Sequence, residues 1–207
     1  KTTEFHFRKN ENGTSYFVTL KHGDERILFM KQNGLLLSSK PARILVHNTI
    51  YKFYDFVDGN KIGIFLHKKY IHVKPENQQS YYTKFVRQLL ETSPVLAQGF
   101  TILTKKEHAI PQISVTQKNR VFGFNLNICY GDDTFAYHPN KFFHVKMNWE
   151  NNEPVFTKYK RSVIWESNKS NFLVENGLTH QDGSFFRGDF ESIQQCLAWL
   201  QKHRELL

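Results

Sequence analysis

The chain has 207 residues, of which 40% are hydrophobic and 15% aromatic, and its formal net charge is +9. This length and composition suffice for a packed core and exclude a disordered chain. No run approaches the ~20 apolar residues that a membrane span needs, so we expect no membrane contact.

Two cysteines, Cys129 and Cys196, are far apart and lack the spacing of a metal site. We therefore expect a reduced, cytoplasmic protein without a disulfide framework. A positive charge of this size is compatible with nucleic-acid binding, although many basic domains use it only for solubility. Because the chain opens on Lys1 and a helix is predicted to run to its end, we interpret it as a fragment of a longer protein.

Short β-rich runs separated by turn residues fill about the first seventy positions. The predicted strands span residues 4–8, 15–20, 26–30, 42–46, 50–54, 62–66 and 70–73. Asp58-Gly59 is a dipeptide typical of hairpin turns and is assigned to one here. The regular spacing of the turn signals predicts a meander or a barrel-like sheet over this part of the chain.

A helix is predicted to begin at Pro75, because proline is favoured at the first helical position. Its apolar stripe has the spacing of one helix face and consists of Tyr82, Phe85, Val86, Leu89 and Leu90. Pro94 is expected to end the helix. A second group of strands is predicted at residues 100–103, 112–116, 121–130, 134–138, 142–147 and 155–159. The strict alternation over 121–130 is typical of an antiparallel sheet.

Two helices are predicted to close the chain, one near residues 161–176 that ends at Gly177 and one capped by Asp189. The last helix carries an apolar stripe that either packs on the core or awaits a partner: Ile193, Cys196, Leu197, Leu200 and Leu207. We therefore expect an α+β, sheet-dominated fold with antiparallel strands and about three helices. Residues 1–74 would form a β-rich subdomain and residues 75–207 an α+β subdomain.

The segment Tyr-Gly-Asp-Asp at 130–133 matches a hairpin that holds catalytic magnesium ions in templated RNA polymerases. Two-metal catalysis needs a third carboxylate, and the available pair, Asp55 and Asp58, is expected to face solvent. The Ser-Gly dipeptide of the polymerase pattern is absent. Since Gly and Asp are common in turns, we predict that this segment is an ordinary turn that reverses the chain and holds no metal. Metal-dependent phosphoryl transfer by Asp132 and Asp133 is kept as an alternative.

Motifs of catalysis and metal binding are missing elsewhere too. No Gly-x4-Gly-Lys-[Ser/Thr] phosphate loop and no Gly-x-Ser-x-Gly elbow occurs. The nearest histidine pairs, His67 with His72 and His138 with His144, lack the helical spacing of a zinc site. We predict no catalytic residue, no metal site and no cofactor.

Clustered cations give the strongest indication of a binding site. Basic and aromatic residues interleave between residues 61 and 74, and a second group follows at 158–161. The candidate phosphate contacts are Lys61, Lys68, Lys69, Lys74, Lys158, Lys160 and Arg161. Such a stripe of cations can contact phosphates while exposed aromatic rings stack on bases. The alternative is a solvated polar surface over an aromatic core.

From about residue 50 onward, the chain resembles the region that precedes the ATPase core in bacterial Swi/Snf-type helicases. The resembling segments are Lys69-Tyr-Ile-His-Val-Lys-Pro, Tyr81-Tyr-Thr-Lys-Phe-Val-Arg, Gly99-Phe-Thr-Ile, Ile110-Pro-Gln-Ile-Ser-Val, Lys160-Arg161, Trp165-Glu166, Glu175-Asn-Gly-Leu178, Phe190 and Trp199-Leu200. In those helicases an Arg-Asp pair usually precedes the acidic helix, whereas this chain has Arg161-Ser162 at that position.

The resemblance implies a parent enzyme that hydrolyses ATP to move on double-stranded DNA, with its motor lobes beyond this segment. The segment itself would be a non-catalytic accessory region whose partners are double-stranded DNA and the ATPase motor domains of the same chain. No motor motif of the family falls within this sequence, so no catalytic residue is carried over. A protein-docking module that uses the last helix and is unrelated to DNA is the alternative from another class.

Overall fold

A computed structural model describes residues 1–30, 32–53, 57–139 and 141–204. The fold is α+β and dominated by mostly antiparallel sheets, so the predicted fold class is confirmed. None of the helices in these ranges is long and apolar enough to cross a membrane.

Sixteen strands and five α-helical segments make up the described chain. The strands are β1 (Thr2–Asn10), β2 (Gly13–His22), β3 (Glu25–Ile27), β4 (Leu35–Ser39), β5 (Ala42–Val46), β6 (Thr49–Lys52), β7 (Ile71–Val73), β8 (Val95–Gln98), β9 (Thr101–Lys105), β10 (Ala109–Lys118), β11 (Val121–Tyr130), β12 (Asp133–Ala136), β13 (Phe143–Glu150), β14 (Glu153–Lys160), β15 (Thr179–Gln181) and β16 (Ser184–Phe186). The helices are α1 (Gly59–Gly63), α2 (Gln78–Tyr81), α3 (Arg87–Thr92), α4 (Val163–Glu175) and α5 (Ile193–His203). A π-helical turn, Tyr82–Val86, joins α2 to α3.

The chain divides into two compact units, each built from two separate segments. The first unit comprises Lys1–Lys105 and Asn140–Lys158, and the second comprises Lys106–Pro139 and Tyr159–Leu207. This division differs from the boundary expected between residues 74 and 75. The helix that follows that position buries its apolar stripe against the N-terminal strands, because an amphipathic helix needs a sheet to cover.

The main sheet of the first unit has the order β3-β2-β1-β8, with β7 paired to the other part of β2. β1 and β2 are antiparallel and in register from Thr2↔Lys21 to Asn10↔Gly13, whereas β8 runs parallel to β1. Alternate side chains of β1 and β2, such as Phe5 and Val18, are fully buried. The core that contains them is completed by the predicted stripe of the α2–α3 helix, of which Tyr82 and Leu89 are fully buried.

Two three-stranded sheets, β4-β5-β6 and β13-β14-β9, complete the first unit. The strand predicted at residues 62–66 is wrong, because this segment forms α1 followed by a 3₁₀ turn, Ile64–Leu66. Asp58 is the N-cap rather than a hairpin residue: its carboxylate accepts a hydrogen bond of 2.9 Å from the backbone N–H of Asn60. Capping satisfies an otherwise unpaired helical N–H and so overrides the turn preference of Asp-Gly.

In the second unit the sheet order is β10-β11-β16-β15, with β12 beside β11. The alternation predicted for β11 is confirmed, since Phe124, Leu126, Ile128 and Tyr130 are all buried. Helices α4 and α5 contribute buried residues to the same core. This unit therefore has one sheet face covered by helices, as antiparallel sheets commonly do.

The ends of the closing helices follow local chemistry. Gly177 adopts a φ of +89° just after α4, as expected for a helix-terminating glycine. The predicted cap of α5 is wrong: Ser192, not Asp189, caps this helix. The Ser192 side chain accepts from the backbone N–H of Gln195, and the Gln195 side chain accepts from the backbone N–H of Ser192. This reciprocal capping box satisfies two N–H groups, which a single aspartate three residues earlier cannot do.

Candidate nucleic-acid interface

Positive charge is distributed unevenly between the two units. The first unit has 19 Lys and Arg residues against 10 Asp and Glu, whereas the second has 9 of each. The entire formal charge of +9 therefore belongs to the first unit. Long-range attraction of a polyanion would act on this unit.

The main sheet of the first unit has one covered face and one open face. Phe5 and Val18 are cross-strand partners, and both side chains are buried on one face of the sheet. Because side chains alternate along a strand, the residues next to them in the chain lie on the opposite face. Cross-strand register then places the following residues together on that face: Glu4, His6, Arg8, Ser15, Phe17, Thr19, Lys21, Arg26, His72, Leu96 and Gln98. We call this set, with Lys69 and Tyr70 at its edge, the open sheet face.

Two aromatic rings on the open sheet face are accessible. Phe17 is 36% exposed and stacks on His6, with ring centroids 4.6 Å apart and planes 4° from parallel. Tyr70 is 59% exposed. Together with Arg26, Met30 and Lys69, these two rings line a cleft of about 210 Å³. The cleft thus combines flat apolar surfaces with two cations, which is the chemistry that contacts a base and its phosphate.

Cations outnumber anions on the open sheet face. Within the described residues of the face the one carboxylate is Glu4, which lies 3.1 Å from Lys21 and 3.3 Å from His6. Burial lowers the pKa of His6, although the nearby Glu4 carboxylate acts in the opposite direction. The lowered pKa favours the neutral form of His6, whose ring supports Phe17 by stacking. Arg8 is exposed and donates from Nε to Gln98 Oε1 over 3.0 Å.

The four predicted contacts between residues 61 and 74 have different surroundings. Lys68, Lys69 and Lys74 are exposed, and Lys69 lines the cleft of the open sheet face. Lys61 belongs to α1 and is half-buried, with its Nζ 5.4 Å from the centre of the Phe85 ring. Burial lowers the pKa of Lys61. Lys61 is thus less suited to phosphate contact than its three neighbours.

The predicted contacts between residues 158 and 161 are mostly buried. Lys158 is on the same strand face as the buried Phe156 and is only 9% exposed. Arg161 has no exposed side-chain surface and pairs with Glu166. Lys160 alone is exposed. Lys158 and Lys160 do lie on the same face of β14, as the alternation predicts. That face is buried along most of the strand, however, and only its end at Lys160 reaches solvent.

Gly131 and Asp132 form the two-residue loop of the hairpin between β11 and β12. Gly131 has a φ of +59°, as glycine has at the first central position of a type II′ turn. The Asp133 carboxylate accepts a hydrogen bond of 2.5 Å from the Tyr159 hydroxyl. Within the ranges that the structure describes, no group of three or more His, Cys, Asp or Glu side chains could hold a metal ion. Asp55, the other aspartate considered for such a site, lies outside the described residues.

The last helix divides its predicted apolar stripe between core and solvent. Cys196 is fully buried and Leu200 packs against the core of the second unit. Ile193 and Leu197 are 48% and 54% exposed. Leu207 lies outside the described residues. Ile193 and Leu197 are neighbours on one face of α5, but a pair of exposed aliphatic side chains is smaller than the apolar patches that mark binding surfaces, so α5 gives little support to the docking alternative.

Arg8, Phe17, Lys21 and Arg26 are on the open sheet face and were not predicted as site residues. The signal that could have found them is alternation, because Phe17 lies between Ser15 and Thr19 on the polar side of β2. Their meeting depends on β1–β2–β3 register, which the sequence does not specify by itself. Comparisons with protein-family models, with curated proteins and with solved structures found no match for this chain.

Proposed function

We propose that this chain is a non-catalytic accessory region of a bacterial Swi/Snf-type ATP-dependent DNA translocase and that its first unit contacts DNA. The translocase assignment is supported by the sequence resemblance, and a cytoplasmic location goes with it. The DNA contact is supported by the open sheet face, on which Arg8, Lys21, Arg26 and Lys69 accompany exposed aromatic rings. The ATPase motor domains of the same chain are the other proposed partner.

Electrostatics determine how such a contact would behave. Each lysine or arginine that neutralises a phosphate releases condensed counterions. A plot of log affinity against log salt concentration therefore falls with a slope of about 0.9 for each phosphate contact. The buried Lys158 and Arg161 do not belong to the proposed contact set. The exposed Lys68, Lys69 and Lys74 of the first unit remain in it, whereas Lys160 is exposed on the second unit and is left out.

Fluorescence anisotropy with a labelled duplex and a labelled single strand, titrated at salt concentrations from about 50 to 200 mM, tests the DNA contact. We expect a linear decrease of log affinity with log salt. The variant Arg26→Ala/Lys69→Ala should bind more weakly. The slope of its log affinity against log salt should be smaller by about 0.9 for each phosphate contact removed. Lys106→Ala/Lys202→Ala removes two exposed cations from the second unit and is the charge-matched control. Absence of binding to either strand form near 50 mM salt would refute the DNA contact.

The translocase assignment has a separate test. The genomic reading frame that contains this chain should encode a Gly-x4-Gly-Lys-[Ser/Thr] phosphate loop downstream of the codon for Leu207. A frame without such a loop would refute the assignment and leave the DNA contact to be judged by the anisotropy data.

A further inference from the structure

A cavity of about 470 Å³ lies within the first unit. It is lined by Thr2 at the start of β1, by the segment 92–94 after α3, by Phe142 and Phe143 at the start of β13, and by Lys158 of β14. Most of the lining surface is apolar. This volume is in the range of cavities that hold small organic ligands.

Lys158 brings an amine into this apolar cavity. The residue is 9% exposed, and its Nζ lies 3.9 Å from the centre of the Phe143 ring. This contact is a cation–π interaction, and no carboxylate among the described residues pairs with Lys158. Burial lowers the pKa of Lys158, with no charged group acting in either direction. An amine in such a position is costly to keep charged, because buried charges are normally paired.

Ser93 provides a second polar group in the same cavity. It is 3% exposed, and its Oγ has no hydrogen-bond partner within the described residues. The backbone N–H of Ser93, in contrast, donates a hydrogen bond of 2.8 Å to the carbonyl of Leu89. Most buried polar atoms in proteins are hydrogen-bonded, so a buried hydroxyl without a partner in the same cavity as a lysine without a carboxylate partner calls for a functional explanation.

We propose that this cavity binds a small carboxylate with an apolar body. The Lys158 ammonium would pair with the carboxylate, the Ser93 hydroxyl would donate to it, and the hydrocarbon part would pack against Pro94, Phe142 and Phe143. A single cation in a mostly apolar lining matches a monoanion with a hydrocarbon body, whereas a phosphate dianion is normally held by several charged donors. The proposal is independent of the DNA contact, because it uses a different set of residues.

Isothermal titration calorimetry with octanoate, and with octanol as its neutral analogue, tests the proposal. Octanoate should bind wild-type protein at one site. Lys158→Met keeps the apolar stem and removes the charge, so it should weaken octanoate binding roughly tenfold or more while leaving octanol binding nearly unchanged. Ser93→Ala should weaken octanoate binding by a smaller factor. Lys160→Met, which alters an exposed neighbour on the same strand, should have no effect.

Thermal melts, recorded without and with octanoate, supply a second readout. Because the Lys158 side chain is largely buried and no carboxylate among the described residues pairs with it, Lys158→Met should leave the melting temperature unchanged or raise it. Addition of octanoate should raise the melting temperature of the wild type by more than that of the variant at the same concentration. Failure of octanoate to bind the wild type, or equal binding to wild type and Lys158→Met, would overturn the proposal.

Discussion

The guanidinium group of Arg161 lies against the carboxylate of Glu166 with neither side chain exposed to solvent. Arg161 donates from Nε to both carboxylate oxygens, at 2.9 and 3.1 Å, and from Nη1 to the backbone carbonyl of His138 at 2.5 Å. The Tyr130 hydroxyl donates to the same carboxylate and accepts from the backbone N–H of Ser162 at 2.8 Å. This network joins β11, α4 and the end of β14, so its arginine is structural.

Removing the cation of this pair should destabilise the protein. Arg161→Met leaves the Glu166 carboxylate buried without its partner, and we expect the free energy of unfolding to fall by about 3–5 kcal/mol. Urea denaturation followed by tryptophan fluorescence measures the change. Lys160→Met is the matched control on an exposed neighbour and should change stability by less than about 0.5 kcal/mol.

The double variant Arg161→Met/Glu166→Met provides a second comparison. Replacing a buried ion pair by apolar groups is often close to neutral, so most of the lost stability should return. If the double variant were as unstable as Arg161→Met, the uncompensated carboxylate would not be the cause of the loss.

Alkaline pH should weaken the second unit. Burial, followed by the hydrogen bond to Glu166, raises the pKa of Tyr130 to about 12. Burial and the hydrogen bond to Asp133 raise the pKa of Tyr159 to about 12 as well. A raised pKa in the folded state contributes stability that is complete below the unfolded-state pKa of about 10 and is lost as the pH rises through about 12.

Urea denaturation at a series of pH values between about 9 and 12 tests this linkage. Tyr130→Phe should be less stable than wild type at neutral pH, because it loses two hydrogen bonds. Its stability should also depend less steeply on pH above about 10, since one ionisable group is gone. Identical slopes for the two proteins would contradict the role assigned to Tyr130.

The hairpin between β11 and β12 should be sensitive to substitution of its glycine. Gly131 has a φ of +59°, which residues with a Cβ adopt at a cost. Gly131→Ala should therefore lower the free energy of unfolding by about 1 kcal/mol. Gly188→Ala is the control, because Gly188 has no positive φ and a Cβ there would meet no atom within 4 Å. Equal effects of the two substitutions would argue against backbone strain.

Two nearby residues distinguish the observed cap of α5 from the one expected from sequence. Ser192→Ala should cost about 1 kcal/mol, since it removes the acceptor for a helical N–H. Asp189→Ala removes only an exposed ion pair with Arg187 and should cost less than about 0.5 kcal/mol. Thermal or urea denaturation measures both. A larger effect at Asp189 would restore it as the cap.

Aromatic residues of the open sheet face should favour unpaired bases. Phe17→Ala and Tyr70→Ala each remove an exposed ring, and stacking on a base contributes about 1–3 kcal/mol. We expect each substitution to weaken single-strand binding roughly tenfold and duplex binding much less, as measured by anisotropy. Leu197→Ala, which removes an exposed apolar side chain from the second unit, should leave both affinities unchanged. A loss of the same size for duplex and single strand would rule out base stacking.

Local patterns in the sequence were enough to predict most elements. The alternation of β11, the apolar stripe of the helix after Pro75 and the stop at Gly177 are confirmed, because each depends on residues close together in the chain. Errors arose where two local preferences compete. Asp-Gly at 58–59 suits a turn as well as a helix start, and the side-chain bond to Asn60 decides in favour of the helix.

By itself, the sequence determined the fold class, the basic charge and the periodicity of individual strands and helices. Only the tertiary structure decided which cations reach solvent: Lys160 does, whereas Lys158 and Arg161, near it in sequence, are buried. The physical reason is that alternation fixes two faces of a strand, while the elements packed against them determine which face is covered. The meeting of Phe17, Arg26 and Tyr70 at one cleft has the same origin, since long-range strand pairing brings together residues that the sequence keeps apart.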